Sequence, residues 1–228
     1  MDTTEEVERR SHVWDGNLLS SGLNPDALGE RNQLASAAKA GDWGVLLEML
    51  NERRHLVNSV RPDSRSGFTP IHQAAYNNAP QEVHRRLIAL GAFRTLKSSS
   101  GQRPVDIARS KGFHDCVGVL EPEIPQPVDA RRLAAMQELF HGLVRAVSQG
   151  YKIGERLRLP ELSVLTEFND DALWFPIPGM YGGFNLWLEK RESEAVVIAE
   201  SWCRVAGGSG MRHCIAPFEV ILLEEGFV

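Results

Sequence analysis

Two spacings of apolar residues divide the chain into a helical half and a strand half. Up to about residue 147 the apolar positions recur every three or four residues, which is the period of one face of an α-helix. From residue 160 onward apolar and polar positions alternate in short segments separated by turn residues, as is typical of β-strands. The pattern predicts an α + β protein, with helices first and an antiparallel β-meander after them.

Within the helical half, one segment returns after a fixed interval. Residues 67–76 read Gly-Phe-Thr-Pro-Ile-His-Gln-Ala-Ala-Tyr, and residues 101–109 read Gly-Gln-Arg-Pro-Val-Asp-Ile-Ala-Arg, an offset of 34 residues. Pro70 and Pro104 suit the first turn of a helix, where a backbone N–H has no partner, and Gly91 suits the left-handed position that ends a helix. The interval predicts stacked helix pairs, because one such unit cannot bury its apolar face alone.

These residues resemble the ankyrin repeat. The family signature stands at Thr69-Pro70-Ile71-His72 and Ala74-Ala75, and the end of the second helix stands at Gly91-Ala92. Upstream, the stretch 34–50 is similar to a divergent first unit. The resemblance implies a helical solenoid over residues 31–121, with about three units at 31–66, 67–100 and 101–121. Residues 1–30 are polar and are expected to form an extension, with Trp14, Leu18 and Leu19 as candidate docking groups.

The resemblance implies binding of a partner protein. Ankyrin arrays recognise partners with the residues around the repeat start and at the end of its first helix. Carried onto this chain, these positions are Arg65, Ser66, Phe68, Tyr76 and Asn77 in the second unit and Ser99, Ser100, Gln102, Arg109 and Ser110 in the third. Phe68 and Tyr76 are the first choices. Because three units offer little area, the C-terminal half is expected to share this interface or carry another.

A proline-rich segment separates the two halves. Three prolines within residues 122–127 block both helix and sheet, so residues 122–128 are predicted to be a stiff linker. After it, Asp129 can cap a helix over residues 129–149 with one apolar stripe: Leu133, Met136, Phe140, Leu143, Val144 and Val147. This helix and the strands that follow form the second predicted domain, residues 129–228. Its region 160–228 resembles the C-terminal part of some bacterial ankyrin proteins, for which no activity is implied.

The strand half contains six predicted strands, at residues 162–168, 173–177, 184–190, 195–206, 211–215 and 219–223. A hairpin around residues 191–194 places Leu188 beside Val197 and Leu186 beside Ala199. Gly208-Ser209 fits a two-residue turn that needs a positive φ at its first position. That turn places Cys203 opposite Cys214, Arg204 opposite His213 and Trp202 opposite Ile215, so a disulfide between the two cysteines stays an open question.

Both faces of this predicted sheet look apolar. One face carries Phe184, Leu186, Leu188, Val197, Ala199, Cys203 and Val205, and the other carries Trp187, Ile198, Trp202 and Ile215. The helix at 129–149 can cover only one of them. The second cover is the last repeat, the strands at 162–177, a second subunit or a partner. Pro176 and Pro178 restrict residues 174–184 to an edge or a loop. There, Trp174, Tyr181 and Trp202 are either an aromatic plug or anchors for a partner.

Composition limits the classes of function. The net charge of −5 argues against a general nucleic-acid binder, while residues 82–115, with seven basic and three acidic residues, suit an acidic partner or form a solvated helical face. The chain has 43% hydrophobic residues without a membrane-spanning run, and its acidic N-terminus is unlike a secretion signal, so we expect a cytoplasmic protein. The three cysteines lack the paired spacings of a zinc site, and no cofactor is predicted.

The sequence therefore favours a protein that binds another protein and inhibits or sequesters it, with no catalysis of its own. Bacterial ankyrin proteins are often encoded near secreted toxins, so the resemblance also implies a toxin-immunity role. One alternative is an enzyme with a pocket near Arg204 and His213. Another is a homo-oligomeric structural protein that buries its second apolar sheet face in a symmetric contact.

Overall fold

The computed structural model describes residues 11–148, 157–191 and 193–227. Helices fill the first part: α1 Pro25–Ala40, α2 Trp43–Glu52, α3 Pro70–Tyr76, α4 Gln81–Ala89, α5 Pro104–Ser110, α6 His114–Leu120 and α7 Ala130–Val147. The strands are β1 Ser11–Val13, β2 Ala172–Ile177, β3 Gly182–Arg191, β4 Glu194–Cys203, β5 Gly210–Ala216 and β6 Glu219–Phe227. Short 3-10 helices cover Ser20–Gly22, Arg54–Leu56 and Leu162–Glu167. None of the helices in these ranges is long and apolar enough to cross a membrane.

The first six helices form three antiparallel pairs. Helices α1, α3 and α5 pack side by side, and α2, α4 and α6 form a second row against them. As the sequence predicted, α3 and α5 begin at Pro70 and Pro104, and Gly91 follows α4 with a φ of 100°. The first helix begins at Pro25, six residues before the predicted unit boundary, and is capped by the Asn24 side chain. We call residues 25–120 the helical stack.

The sheet is open, with the strand order β1-β2-β3-β4-β5-β6. Strands β2 to β6 form the predicted antiparallel meander, and the β3–β4 register is confirmed, with Leu186 opposite Ala199 and Leu188 opposite Val197. Two elements differ from the prediction. Residues 162–168 contain a 3-10 helix where a strand was predicted, and β1, from the N-terminal extension, adds a parallel strand beside β2. Strand β1 pairs only with residues 172–174 of β2, so Pro176 lies in a part of β2 that has β3 on one side and is an edge on the other.

The predicted register of the next hairpin is wrong. Strand β4 ends at Cys203, and residues 204–209 form a six-residue connection in which the Ser209 hydroxyl contacts both the N–H and the carbonyl of Cys203. His213 consequently pairs with Ala199 and Cys214 with Ile198. The register moves by five residues, an odd number, so Cys203 and Cys214 lie on opposite faces of the sheet. A disulfide between them is excluded, and all three cysteines are free.

One face of the sheet packs on α7. Its core contains Phe140 from the helix and Phe184 from β3 in an edge-to-face contact at 5.7 Å, together with most side chains predicted for that face. Ile215 joins this core because of the register shift, whereas Val205 is exposed in the β4–β5 connection. The opposite face carries Ala172, Trp187, Val196, Ile198 and Cys214, all of them buried. The second face is therefore largely buried within the chain itself, and little of it is left for a second subunit or a partner.

The helical stack has a core of its own, and its loop after α4 also reaches into the core of the sheet side. Phe93 and Leu96, from the loop after α4, are buried against the sheet side, together with Trp14 from the N-terminal segment. The proline-rich segment is also docked, because Gln126 donates from its backbone N–H to the Thr166 carbonyl and from its side chain to the Phe168 carbonyl. The predicted linker therefore lies along the sheet half as part of the packed structure.

Candidate functional site

A groove of about 390 Å³ lies between α1, α3 and the loop that precedes α3. Its lining combines an apolar floor, an aromatic wall, several hydroxyls and two cations: Leu34, Ala35, Ala38, Lys39, Ser59, Arg61, Ser64, Ser66, Phe68, Thr69, Pro70, Gln73, Tyr76 and Asn77. We call it the α1–α3 groove. Its size suits one or two side chains of a bound protein, with polar groups at hand to fix their orientation.

The turn that opens α3 brings the groove residues together. Gly67 has a φ of 62°, and a Cβ atom there would lie 2.6 Å from the Ser99 hydroxyl, so this position requires glycine. The backbone N–H of Ser99 donates to the carbonyl of Ser66 from the neighbouring turn. Successive turns are thereby tied together, and Ser66 and Phe68 are held at the mouth of the groove.

An aromatic pair forms the wall of the groove. The rings of Phe68 and Tyr76 are 5.9 Å apart, and Tyr76 is 45% exposed although it ends a helix whose other side is buried. The Lys111 ammonium lies 3.7 Å from the centre of the Tyr76 ring, a cation–π contact that holds the ring in place. Lys111 stands 34 residues after Asn77, so the repeat interval could have revealed it.

The groove is electropositive. Its lining includes Lys39 and Arg61 and no Asp or Glu. Arg61 donates to the Ser36 hydroxyl, and within the described chain neither Lys39, Arg61 nor Lys111 forms an ion pair. Sequence reasoning missed Lys39 and Arg61 because they come from outside the repeated segment. Such cations beside an aromatic pair of which Tyr76 is exposed and Phe68 partly exposed favour an anionic group with an apolar neighbour.

His72 supports the groove from beneath. Its Nδ1 accepts hydrogen bonds from the Thr69 hydroxyl at 2.8 Å and the Thr69 backbone N–H at 3.3 Å. Its Nε2 therefore carries the hydrogen and donates to the Leu96 carbonyl at 3.1 Å. Complete burial, together with the positive charge of Arg158, lowers the pKa of His72 to about 4. The neutral imidazole thus ties the start of α3 to the loop that packs on the sheet.

This low pKa predicts acid sensitivity. The folded pKa lies below the unfolded value of 6.5, so the unfolded chain takes up the proton first and stability falls as the pH drops from 6.5 towards 4. Between pH 7 and pH 5 we expect this histidine to cost about 2 kcal/mol of unfolding free energy. Urea titrations at both pH values should show this loss in the wild type and its absence in His72→Gln. Equal pH dependence in the two proteins would contradict the assignment.

The predicted binding residues of the second unit fall around the groove, and those of the third unit do not. Ser66, Phe68, Tyr76 and Asn77 line it, while Arg65 is exposed beside it in the chain. Asn77 is also structural, because its amide donates to the carbonyls of Ala38 and Lys39 in α1.

In the third unit, most of the predicted residues use their polar groups within the chain. Arg109 pairs with Glu121, and the Ser110 hydroxyl donates to the Ile107 carbonyl. Ser100 bonds to Gln102 through their side chains, and Ser99 is held by the turn of the second unit. None of these residues lines the groove. The accessible recognition groups are therefore concentrated at the second unit.

The aromatic anchors predicted in the sheet half are separated by the structure. Trp174 and Trp202 are half-buried and their rings contact each other, 4.8 Å apart and tilted by 31°, so each ring already packs within the chain. Tyr181 is 71% exposed at the β2–β3 turn and has a φ of 54°, with its carbonyl accepting from the Arg204 N–H. Of the three predicted anchors Trp174, Tyr181 and Trp202, Tyr181 is the one whose ring is exposed.

The structure separates Arg204 from His213. Arg204 is exposed in the β4–β5 connection, whereas His213 is buried in β5 opposite Ala199, and burial lowers its pKa. Cys203 and His213 do not pair across the sheet, and burial raises the pKa of the Cys214 thiol. Within the described ranges, no three His, Cys, Asp or Glu side chains are grouped as a metal ion needs. The predicted pairing of Arg204 with His213 is therefore not formed.

Comparison with protein-family models finds no match to this chain, and comparison with curated proteins finds no significant match.

Proposed function

We propose that the protein binds another protein through the α1–α3 groove and thereby inhibits or sequesters it. The observation that carries the proposal is the Phe68–Tyr76 pair, with Tyr76 exposed and Phe68 partly exposed, beside Lys39, Arg61 and Lys111, which form no ion pair with the described residues. Aromatic side chains provide large contact area at low entropic cost, and they are the usual centres of binding energy in interfaces. The partner should present an acidic group with an apolar side chain next to it.

We also infer that the helical stack is an ankyrin-type array. The 34-residue recurrence, the Thr69–His72 cap at the start of α3 and the two rows of helices support this. A solenoid of this type binds by its repeat turns and first helices, the elements that line the groove. The cytoplasm is the proposed compartment, with support from the three free cysteine thiols. A toxin is one candidate target of this inhibition.

The groove can be tested by a double substitution. Replacing Phe68 and Tyr76 with Ala removes the aromatic wall, while the partly exposed positions should tolerate the change without unfolding. The partner is captured by crosslinking in extracts of the producing cells and purified, and its affinity is then measured by calorimetry. We expect a loss of about 2 kcal/mol or more, which is roughly thirtyfold in Kd.

Tyr181→Ala is the matched control, because it removes an exposed aromatic ring outside the groove. Loss of binding in Tyr181→Ala, with normal binding in the groove variant, would move the interface to the sheet. Inhibition should also follow stoichiometry and be complete near one molecule per target. Silencing of excess target by a trace amount would favour the enzyme alternative over sequestration.

A further inference from the structure

The last strand leaves an open apolar edge. Strand β6 pairs with β5 on one side, and it is the terminal strand in the order of the sheet. Val220, Ile221, Leu222 and Leu223 are each between 36% and 46% exposed, and Phe218, just before the strand, is 94% exposed. An edge strand offers unpaired backbone N–H and C=O groups, so an apolar edge invites pairing with another chain. We call Phe218 and residues 219–227 the β6 edge.

Half of this edge keeps a regular register. Residues Glu219 to Leu222 pair one to one with Ala216 to His213, while Leu223 and Gly226 are extra residues at two register shifts. Bulges of this kind protect an edge from pairing. The protection covers the C-terminal part of β6 and leaves the apolar start of the strand regular. An added strand would therefore align with residues 219–222.

The charges of the edge distinguish between the occupants that could cover it. Glu219, Glu224 and Glu225 flank the apolar centre, and Glu224 is paired with Arg212. Within the described residues, Glu219 and Glu225 take part in no ion pair. A second copy of this chain offers these carboxylates no cation: an antiparallel pair of β6 strands that overlaps all four apolar residues puts Glu219 opposite Glu224 twice, and a pair over residues 219–222 puts Glu219 opposite Leu222. Like charges directly opposite each other destabilise a sheet.

We propose that the β6 edge binds an extended segment of a partner protein, with an apolar centre flanked by Lys or Arg, as a seventh strand of the sheet. Main-chain hydrogen bonds to β6 provide the affinity, and alternate side chains contact the Val220–Leu222 face and the Ile221 face. The flanking cations lie near Glu219 and Glu225. The α1–α3 groove favours an acidic group, so the two surfaces recognise opposite chemistry, and the edge does not depend on the groove.

A displayed library of random nonapeptides, selected against the full-length protein, tests the proposal. Selected peptides should carry Val, Ile or Leu at central positions and Lys or Arg at the flanks. The best peptide, made synthetically, is then titrated by fluorescence anisotropy. Replacing its central residue with the N-methyl analogue removes one backbone donor, and we expect at least tenfold weaker binding. Glu219→Lys/Glu225→Lys should weaken binding at least tenfold while leaving the apolar centre and the thermal unfolding unchanged.

The Phe68→Ala/Tyr76→Ala protein serves as the control and should bind the peptide as the wild type does. Four results would overturn the proposal. The selection could give no peptide, or peptides with acidic flanks. The affinity of the selected peptide could be the same for the wild type, Glu219→Lys/Glu225→Lys and Ile221→Lys, or binding could be lost in the groove variant. Sedimentation equilibrium tests whether a second copy of this chain binds the β6 edge. A wild-type dimer that Ile221→Lys converts to a monomer would assign the edge to a second copy.

Discussion

Replacing Trp14 with Ala is expected to lower the free energy of unfolding by about 4 kcal/mol, as for other buried aromatic side chains. Trp14 is 2% exposed, although it lies only one residue past a three-residue strand. Its indole N–H donates to the Arg158 carbonyl at 2.7 Å, and its ring stacks on Phe93 at 6.4 Å. The substitution opens a cavity where the helical stack meets the sheet and leaves the Arg158 carbonyl without this donor.

Trp202→Ala is the matched control, because it removes the same side chain from a half-buried position that contacts chiefly Trp174. We expect it to cost about 1–2 kcal/mol, since a partly exposed ring loses less burial on truncation. Urea unfolding measures both variants, and Trp14→Phe should recover much of the packing but not the hydrogen bond. Equal losses in Trp14→Ala and Trp202→Ala would mean that packing of the N-terminal segment contributes little to the stability of the fold.

The burial of Trp14 could not be predicted from the sequence. The first thirty residues are polar, and nothing in their local pattern indicates a strand, so they were predicted to be an extension. Strand β1 forms because Ser11–Val13 pair with residues 172–174, more than 150 positions away. Pairing at this distance is selected by the whole packed core, and a short segment carries no periodicity of its own to predict it.

The β3–β4 and β4–β5 hairpins also show that contacts outside the local pattern decide whether a register can be predicted. The β3–β4 register is confirmed because the regular pairing of the two strands continues up to Arg191 opposite Glu194, as the predicted hairpin around residues 191–194 requires. The β4–β5 register was wrong because Gly208-Ser209 looked like a tight turn, whereas the Ser209 side chain closes a six-residue connection onto Cys203. A side chain that bonds to a backbone several residues away competes with local turn preference.

The groove was partly predictable for a related reason. Phe68 and Tyr76 could be placed from the repeat pattern, because each lies at a fixed offset from Pro70: Phe68 in the turn before α3 and Tyr76 at the end of that helix. The cations Lys39 and Arg61 come from α1 and from the loop before the repeat, so only the packing of α1 on α3 brings them together. Periodicity predicts which residues lie at equivalent positions within one unit. The charge of a site formed between two units can be predicted only when the packing of those units is known.

Glu167→Ala should be the second strongly destabilising change, with a loss of about 3 kcal/mol. The Glu167 carboxylate accepts from the Thr95 N–H at 2.7 Å, the Thr95 hydroxyl at 2.6 Å and the Arg94 N–H at 3.1 Å. Burial raises the pKa of this carboxyl, so these bonds only partly offset the loss of water. Truncation leaves both backbone donors unpaired and removes the carboxylate that lies 3.9 Å from the buried Arg94 Nε.

Because Glu167 joins the sheet half to the loop after α4, its loss should also reduce the cooperativity of unfolding. We expect the urea transition of Glu167→Ala to broaden or split, with the helical stack and the sheet unfolding separately. Glu161→Ala is the control at the same junction, since Glu161 accepts from the Lys97 N–H but is more exposed; it should cost about 1 kcal/mol and keep one transition. In Glu167→Gln the amide oxygen can still accept from Thr95, so an intermediate loss is expected. A single sharp transition in Glu167→Ala, with no greater loss than in Glu161→Ala, would show that the two halves are coupled by apolar packing alone.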